Sequence, residues 1–235
     1  MNSESVMQQL EVLGKERTKK IYISNGAREP VFGVATGAMK PLAKLIKINQ
    51  PLADQLYTTG NYDAMYFAGI IADPHQMTHD DFNRWIDLAY FYMLSDYVVA
   101  VTLAESPIAQ DIADEWIASD DELKMSAGWS CYCWLLGSRK DEEFSAPKLL
   151  DMVQLVKNTI HEAPDRAKVS MNNFLTTVGV SFKPLHEQAL EIAQIVGPIE
   201  IKRDNKKPSI LHAYENIIKE AERNRIGFKR KHVRC

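Results

Sequence analysis

Two pairs of residues carry side chains of the types that bind metals. Cys131 and Cys133 lie two positions apart on a predicted helix, about 200° apart around its axis. They cannot share a metal or a disulfide unless that helix unwinds, so buried core thiols are favoured. His75 and His79 have the spacing of helical metal ligands, but Pro74 places His75 in a loop and no Glu follows it. We therefore expect no metal site.

A phosphate-binding loop is also missing from the sequence. Gly33, Gly37 and Lys40 have the wrong spacing for such a loop, and no Ser or Thr follows the lysine. There is no dinucleotide-binding fingerprint and no nucleophile elbow. The sequence therefore predicts no small-molecule cofactor.

One interior acid, Asp96, lies among segments that are rich in aromatic residues. These rings are Tyr90, Phe91, Tyr92, Tyr97, Trp129, Tyr132 and Trp134. Aromatic residues at helical spacing most often belong to a core. Asp96 follows Ser95 and can simply begin a helix in the favourable field of its dipole. Core packing is the ordinary interpretation of this group, and a functional site is the alternative.

Positive charge is concentrated near the two ends of the chain. Residues 15–47 hold eight Lys or Arg against two Glu, a balance of +6, and residues 202–235 reach +7, whereas residues 48–201 carry −14. Basic ends around an acidic middle suggest a bound polyanion. Ordinary surface lysines and a solvated tail are the alternative. The basic tail over 225–235 is in turn either mobile or a phosphate-contacting arm.

The apolar pattern is helical almost everywhere. It predicts helices over 3–18, 19–26, 36–49, 51–59, 62–72, 79–92, 95–104, 107–118, 120–136, 146–161, 165–180, 184–196 and 209–224. Only residues 198–201 look extended, which is too short to imply a sheet. No long linker divides the chain, so we expect one all-α domain over 1–235. Paired helices with short turns stack into an α-solenoid, with a compact irregular helical domain as the alternative.

Composition places the chain among ordinary globular proteins. Of its 235 residues, 46% are hydrophobic and 25% are charged, which excludes disordered and collagen-like classes. No stretch approaches the roughly 20 apolar residues that cross a bilayer. The polar N-terminus is not a secretory signal, and three cysteines are too few for a disulfide framework. We therefore expect a soluble cytoplasmic monomer without membrane contact.

Several segments resemble one known family. The segment GAREPVFGVATGAMKPLAKLIK at 26–47 is similar to the N-terminal signature of the bacterial DNA alkylation repair family, the alkylpurine DNA glycosylases built from HEAT-like repeats. WIASD at 116–120, VSMNNFLTTVG at 169–179 and the tail GFKRKHVRC at 227–235 also resemble members of it. The resemblance implies a right-handed α-solenoid of HEAT-like antiparallel helix pairs, whose positive concave face holds duplex DNA.

The resemblance also implies a weakened catalytic site. In active members, a helix that opens with Trp and Asp supplies a second Asp, which supports loss of the cationic base. Here Ser95 stands at the Trp position and Val99 at the key Asp position, so only Asp96 matches an acid. Valine offers neither charge nor hydrogen bond to an oxocarbenium-like transition state. We therefore expect excision to be weak or absent, with Asp96 as the remaining catalytic candidate.

The binding positions implied by the resemblance are only partly kept. The Arg that grips the DNA backbone falls on Ser126, whereas Phe174 keeps the ring of a cleft aromatic, and Thr36 and Lys40 match positions that approach the backbone. The complete set of DNA-binding candidates is Arg28, Thr36, Lys40, Lys44, Tyr97, Trp129, Phe174, Lys229, Arg230 and Lys231. The predicted function is DNA binding within this family, with a glycosylase activity that is weakened or altered. The alternative is a HEAT-like scaffold whose groove binds a protein or RNA.

Overall fold

The computed structural model describes residues 1–203 and 206–234. These residues form two compact units, one made of Met1–Ile108 with Arg234, and the other of Ala109–Val233. That residues 1–235 form a single repeat domain stays a prediction.

The first unit is built around a buried helix. Its elements are α1 (Ser3–Leu13), α2 (Glu16–Ser24), α3 (Thr36–Ile46), α4 (Gln50–Tyr57), α5 (Tyr62–Ile71), α6 (His79–Leu88), α7 (Tyr92–Leu94), a π-helical segment (Ser95–Val99) and α8 (Ala100–Ala104). Helix α5 packs against α1, α3, α4, α7 and the π-helical segment. Eight of its ten residues are buried, as expected for a helix that is apolar on nearly every side.

The second unit contains six α-helices, two short 3-10 helices (Asp141–Glu143 and Lys183–Leu185) and a hairpin among its described residues. Its elements are α9 (Ala109–Ile117), α10 (Glu122–Ser138), α11 (Ala146–Thr159), α12 (Asp165–Ser181), α13 (His186–Val196), β1 (Ile199–Arg203), β2 (Lys206–Leu211) and α14 (Ala213–Glu222). Helix α10 packs against α9 and α12, and α12 also contacts α13 and α14. Trp116, Trp129, Tyr132 and Phe174 are among its largest buried side chains.

The structure shifts three helix boundaries by four residues or more. The helix predicted over 3–18 ends at Leu13, because Gly14 and Lys15 turn the chain where Lys15 N–H donates to the Gly33 carbonyl at 3.1 Å. The helix predicted over 79–92 ends at Leu88, since residues 89–91 run extended up to Phe91. The helix predicted over 209–224 begins only at Ala213.

The third of these corrections reflects a hairpin that the sequence analysis missed. The extended segment predicted at 198–201 is real, but it pairs antiparallel with β2, with Ile199 opposite Leu211 and Ile201 opposite Ser209. Ile199 and Ile201 are buried, so the hairpin covers part of the unit's core.

In the described ranges, no helix has both the length and the apolar character needed to cross a membrane.

Candidate nucleic-acid interface

A buried carboxylate fixes the loop that precedes α3. Asp63, near the start of α5, accepts backbone N–H groups from Phe32 at 2.6 Å, Gly33 at 3.0 Å and Val34 at 2.7 Å. Burial raises the pKa of Asp63, and the three donated hydrogen bonds oppose that rise. These hydrogen bonds fix the position of the loop just before α3 begins at Thr36.

Gly33 lets this loop approach α2 closely. Its φ is +82°, and a Cβ there would lie 2.5 Å from the backbone nitrogen of Lys19. Only glycine satisfies both the left-handed backbone and the missing side chain. Gly33, whose spacing does not fit a phosphate loop, therefore has a packing role next to the predicted DNA-contacting helix.

Helix α3 presents a polar stripe along one side. Thr36, Lys40 and Lys44 are spaced by four residues, so each lies about 6 Å further along the axis on nearly the same face. All three are exposed, while Met39 and Leu42 bury the other side of the helix. In the described part of the chain neither lysine forms an ion pair. Their charges are therefore available to a polyanion.

Seven aromatic rings of the first unit form one continuous cluster, named the tyrosine cluster. Tyr62 is buried and contacts Tyr22 at 4.9 Å and Phe91 at 5.3 Å between ring centroids. Phe91 stacks on Tyr90 and touches Tyr92. The further members of the cluster are Tyr66 and Tyr97. The cluster is thus partly core, as expected, while Tyr90 and Tyr92 are half-buried and Tyr97 is 41% exposed.

The segment predicted to be catalytic is a π-helical turn. The Ala100 N–H donates back to the Ser95 carbonyl, a five-residue hydrogen bond that inserts one residue into the helix. Asp96 is only 2% exposed, and its Oδ1 accepts the Ser95 hydroxyl at 2.7 Å. Val99 is fully buried. Of this segment's side chains, only Tyr97 reaches solvent to a large extent.

The two predicted ring contacts of the second unit lie inside its core. Trp129 is 1% exposed and Phe174 is 0% exposed, with their ring centroids 4.9 Å apart. Ser126, one turn before Trp129, is also buried. A ligand could reach these rings only if α10 and α12 moved apart. In this structure they pack the core and present no surface to DNA.

The four side chains considered as metal ligands, Cys131, Cys133, His75 and His79, do not group into a metal site. Cys131 is buried, and burial raises the pKa of its thiol well above the usual range, whereas Cys133 is half-buried. His75 lies in the turn after α5, and His79 begins α6 with its Nδ1 at 3.1 Å from the Asn83 amide nitrogen. Within 1–203 and 206–234, no group of three or more ligating side chains could hold a metal.

The basic tail is held against the second unit rather than extended. Lys229 Nζ donates to the Leu136 carbonyl at 2.7 Å and pairs with Asp141 at 2.8 Å. The Arg230 N–H donates to the Gly137 carbonyl, and its guanidinium lies 5.1 Å from the Trp134 ring centroid. Lys231 is exposed. The three predicted DNA contacts thus differ, because Lys229 already has an anionic partner.

This difference leads to a stability prediction. Lys229→Ala should lower the free energy of unfolding by about 1 kcal/mol, because a half-exposed ion pair and a carbonyl hydrogen bond are lost. Lys231→Ala removes the same charge two residues later and should leave stability unchanged. Urea unfolding followed by circular dichroism measures both. Equal stabilities for the two variants would show that the Asp141 pair contributes nothing.

Asp63 and three members of the tyrosine cluster, Tyr22, Tyr62 and Tyr66, were not predicted from the sequence. The available signal was Asn61-Tyr62-Asp63, in which Asn61 caps α5 by accepting the Ala64 N–H at 3.1 Å. A first-turn acid normally faces the helix dipole and solvent. Here the approach of a loop 30 residues away buries it, and such a contact has no local sequence pattern.

These features define a class of protein: an all-α protein of packed helices that carries the polar stripe on α3 and the tyrosine cluster. The chain belongs to the DNA alkylation repair enzyme family, which matches residues 6–217. It is similar to a solved structure described as a new family of proteins related to the HEAT-like repeat DNA glycosylases with affinity for branched DNA structures. The two are 72% identical over the whole of both chains, with a TM-score of 0.97. The HEAT-like all-α fold is thereby confirmed.

Two more distant relatives are proteins of Listeria. An uncharacterized protein of Listeria monocytogenes is 27% identical over 223 residues, covering 92% of this chain and 95% of the relative. An uncharacterized protein of Listeria innocua is 26% identical over 225 residues, covering 93% and 96%. The similarity extends over nearly full length in both, so it concerns the whole fold and not one motif.

Proposed function

We propose that this protein binds branched DNA through the first unit without excising bases. The observation that carries the proposal is the stripe of Thr36, Lys40 and Lys44, whose lysines have no acidic partner among the described residues. The 72% identical relative with affinity for branched DNA structures supports the choice of ligand. Phosphate contacts of this kind position a protein on DNA without reading its sequence.

Electrostatics of the N-terminal segment also support the proposal. Of the eight cations in residues 15–47, only Lys19 forms an ion pair in the described chain, with Glu29 at 2.8 Å. A surplus of exposed positive charge attracts nucleic acid and is maintained at some cost in self-repulsion. Arg28, Lys40 and Lys44 from the predicted set remain in the proposed interface. Trp129 and Phe174 do not, since both are buried.

The side chains of the π-helical segment support the proposal that the protein does not excise bases. The family's reaction needs a carboxylate close to a departing cationic base. The Asp96 side chain is buried and Val99 supplies no charge, so neither can approach an exposed purine. Tyr97 could still contact DNA from this segment. We expect alkylated DNA to be bound no better than unmodified DNA of the same shape.

The interface is tested by charge removal at matched positions. Lys40→Ala/Lys44→Ala should weaken binding to a three-way junction and lower the log-log salt slope by about 2, since each lost phosphate contact removes roughly 0.9. Lys157→Ala/Lys219→Ala removes the same charge from the second unit and should leave the slope unchanged. Fluorescence anisotropy over a series of salt concentrations measures both, with linear duplex of equal length as the reference.

Two results would contradict the proposal. One is equal affinity of the unmodified protein for the junction and the linear duplex, which would remove branching as the recognised feature. The other is an equal loss of slope in the two double variants, which would mean that the charge acts diffusely and that α3 is not an interface.

A second candidate function is favoured by an apolar groove in the first unit. The groove has a volume of about 540 Å³ and is lined by Ser5, Gln8, Gln9, Val12, Leu13, Ala38, Pro41, Leu42 and Leu45. Val12 is 85% exposed and Leu45 is 68% exposed, an arrangement typical of protein interaction sites. A scaffold function predicts a protein complex that is insensitive to salt and is lost in Leu45→Glu.

A further inference from the structure

Arg28, Tyr90 and Phe91 form a layered stack at the edge of the tyrosine cluster. Phe91 is 7% exposed and forms the base of the stack. The Tyr90 ring lies on it with centroids 5.2 Å apart and planes inclined by 21°. The Arg28 guanidinium lies over the Tyr90 ring, 5.5 Å from its centroid. The stack thus runs from the core to an exposed cation.

The backbone around Arg28 is shaped to hold this stack. Gly26 has φ +111°, and a Cβ on it would lie 3.3 Å from Phe91 Cδ2. The loop backbone therefore lies almost directly on the buried ring. Two residues later the loop places Arg28 over Tyr90, while its other end is fixed by the three hydrogen bonds to Asp63. The position of Arg28 is set from both sides.

The acids near Arg28 do not neutralise it. The adjacent Glu29 pairs with Lys19 at 2.8 Å, and Arg28 itself forms no ion pair within residues 1–203 and 206–234. The guanidinium is thus exposed and attracted by an aromatic ring in place of a carboxylate. A planar guanidinium held in this way can accept a nucleobase on its outer face, as Arg planes do in single-stranded nucleic-acid recognition.

We propose that Arg28 on Tyr90 is a stacking platform for an unpaired nucleobase at a DNA branch. The proposal rests on the proposed function and specifies which feature of branched DNA is recognised. A fully paired duplex keeps its bases stacked on one another, whereas a branch point that contains unpaired bases offers them for stacking on aromatic and guanidinium planes without sequence preference. The polar stripe on α3 then supplies phosphate contacts, and the Arg28–Tyr90 platform supplies selectivity for branched DNA.

Arg28→Lys separates stacking from charge. Lysine keeps the positive charge for a phosphate but has no plane for a base. Arg28→Lys should therefore lose on the order of ten-fold in affinity for a junction with two unpaired bases, and stay within about two-fold on paired duplex. Lys20→Ala, which removes an exposed charge from α2, is the matched control and should weaken both DNAs alike.

The direct readout is the fluorescence of 2-aminopurine placed at one unpaired position of a three-way junction. Stacking on the platform should quench this base when the wild-type protein binds at saturating concentration. Tyr90→Leu and Arg28→Lys should each abolish the quenching. Tyr90→Phe keeps the ring and should retain it. Circular dichroism and urea unfolding of every variant ensure that a lost signal is not a lost fold.

The outcomes separate this proposal from the one on which it rests. A wild-type protein that binds the junction without quenching overturns the platform and leaves branched-DNA binding intact. Full quenching in Arg28→Lys would also overturn it, because a point charge would then suffice. A wild-type protein that does not prefer the junction overturns both proposals.

Discussion

Asp63→Ala should lower the free energy of unfolding by roughly 3–5 kcal/mol, one of the two largest effects expected in this protein. The substitution leaves the N–H groups of Phe32, Gly33 and Val34 without their acceptor. Each buried donor that loses its partner costs about 1–3 kcal/mol, with the upper part of the sum reduced by local relaxation. Urea unfolding monitored by circular dichroism gives the difference.

Asp63→Asn is the control for the shape of this side chain. Its single carbonyl oxygen can still accept from the loop, while its amide group faces N–H donors and cannot. We expect a loss between those of wild type and Asp63→Ala. Asp80→Ala, which removes a freely exposed first-turn acid from α6, should stay within about 0.5 kcal/mol of wild type. Similar losses of stability in Asp63→Ala and Asp80→Ala would show that Asp63 does not hold the loop in place.

The pH dependence of the Asp63 effect has a definite sign. Burial raises the folded-state pKa of this carboxyl above its unfolded value, so the folded state binds the proton more readily. Its contribution to stability should therefore increase as the pH falls from neutral through the raised pKa. The stability difference between wild type and Asp63→Ala should be at least as large at pH 5 as at pH 7.5. A smaller difference at pH 5 would mean that the three hydrogen bonds outweigh burial.

The helical fold could be predicted because its signals are local. The helical spacing of apolar residues predicted most of the helices. The misplaced boundaries have non-local causes. The break at Gly14 depends on the loop around Gly33, and the end of α6 depends on Phe91 turning inward to meet Tyr62. The hairpin was not predicted because β2 is polar along most of its length. Its last residues, from Ser209, were instead assigned to the predicted helix that contains α14.

The candidate site was predictable where spacing alone decides exposure. Thr36, Lys40 and Lys44 share a helix face for purely periodic reasons, and the structure places all three in solvent. Lys229 was chosen on charge, but its partners, Asp141 and the Leu136 carbonyl, lie about 90 residues earlier. Phe174 was chosen by its match to a family position, and Trp129 as one ring of an aromatic-rich helix. Position identifies equivalent residues but cannot tell whether a ring faces a groove or its neighbour.

Val99→Asp is the other substitution that we expect to have a large effect on the free energy of unfolding. The resemblance places the family's key Asp at this position, so position alone predicts that a restored acid returns excision. The structure argues for a different result, because Val99 is 0% exposed within the core of the first unit. A carboxylate there is buried without a designed partner, which is costly. We expect a loss of roughly 3–5 kcal/mol in stability and no gain in base release.

Val99→Ala separates the two parts of this loss. It removes the same packing without adding charge, and should cost about 1–2.5 kcal/mol. The remaining deficit of Val99→Asp reports burial of the carboxylate. Because burial would raise its pKa, that remaining part should shrink between pH 7.5 and pH 5, where the acid can be protonated in the folded state. Urea unfolding of both variants at the two pH values measures it.

Release of base from duplex DNA that carries a cationic methylated purine completes the test. We expect none from the native protein, from Asp96→Asn or from a folded fraction of Val99→Asp. Excision by the native protein that disappears in Asp96→Asn would assign catalysis to Asp96 despite its burial. If Val99→Asp instead folds with wild-type stability and releases base, the carboxylate must reach solvent. The π-helical segment would then open when DNA binds, and the loss of activity would lie in one side chain rather than in the packing around it.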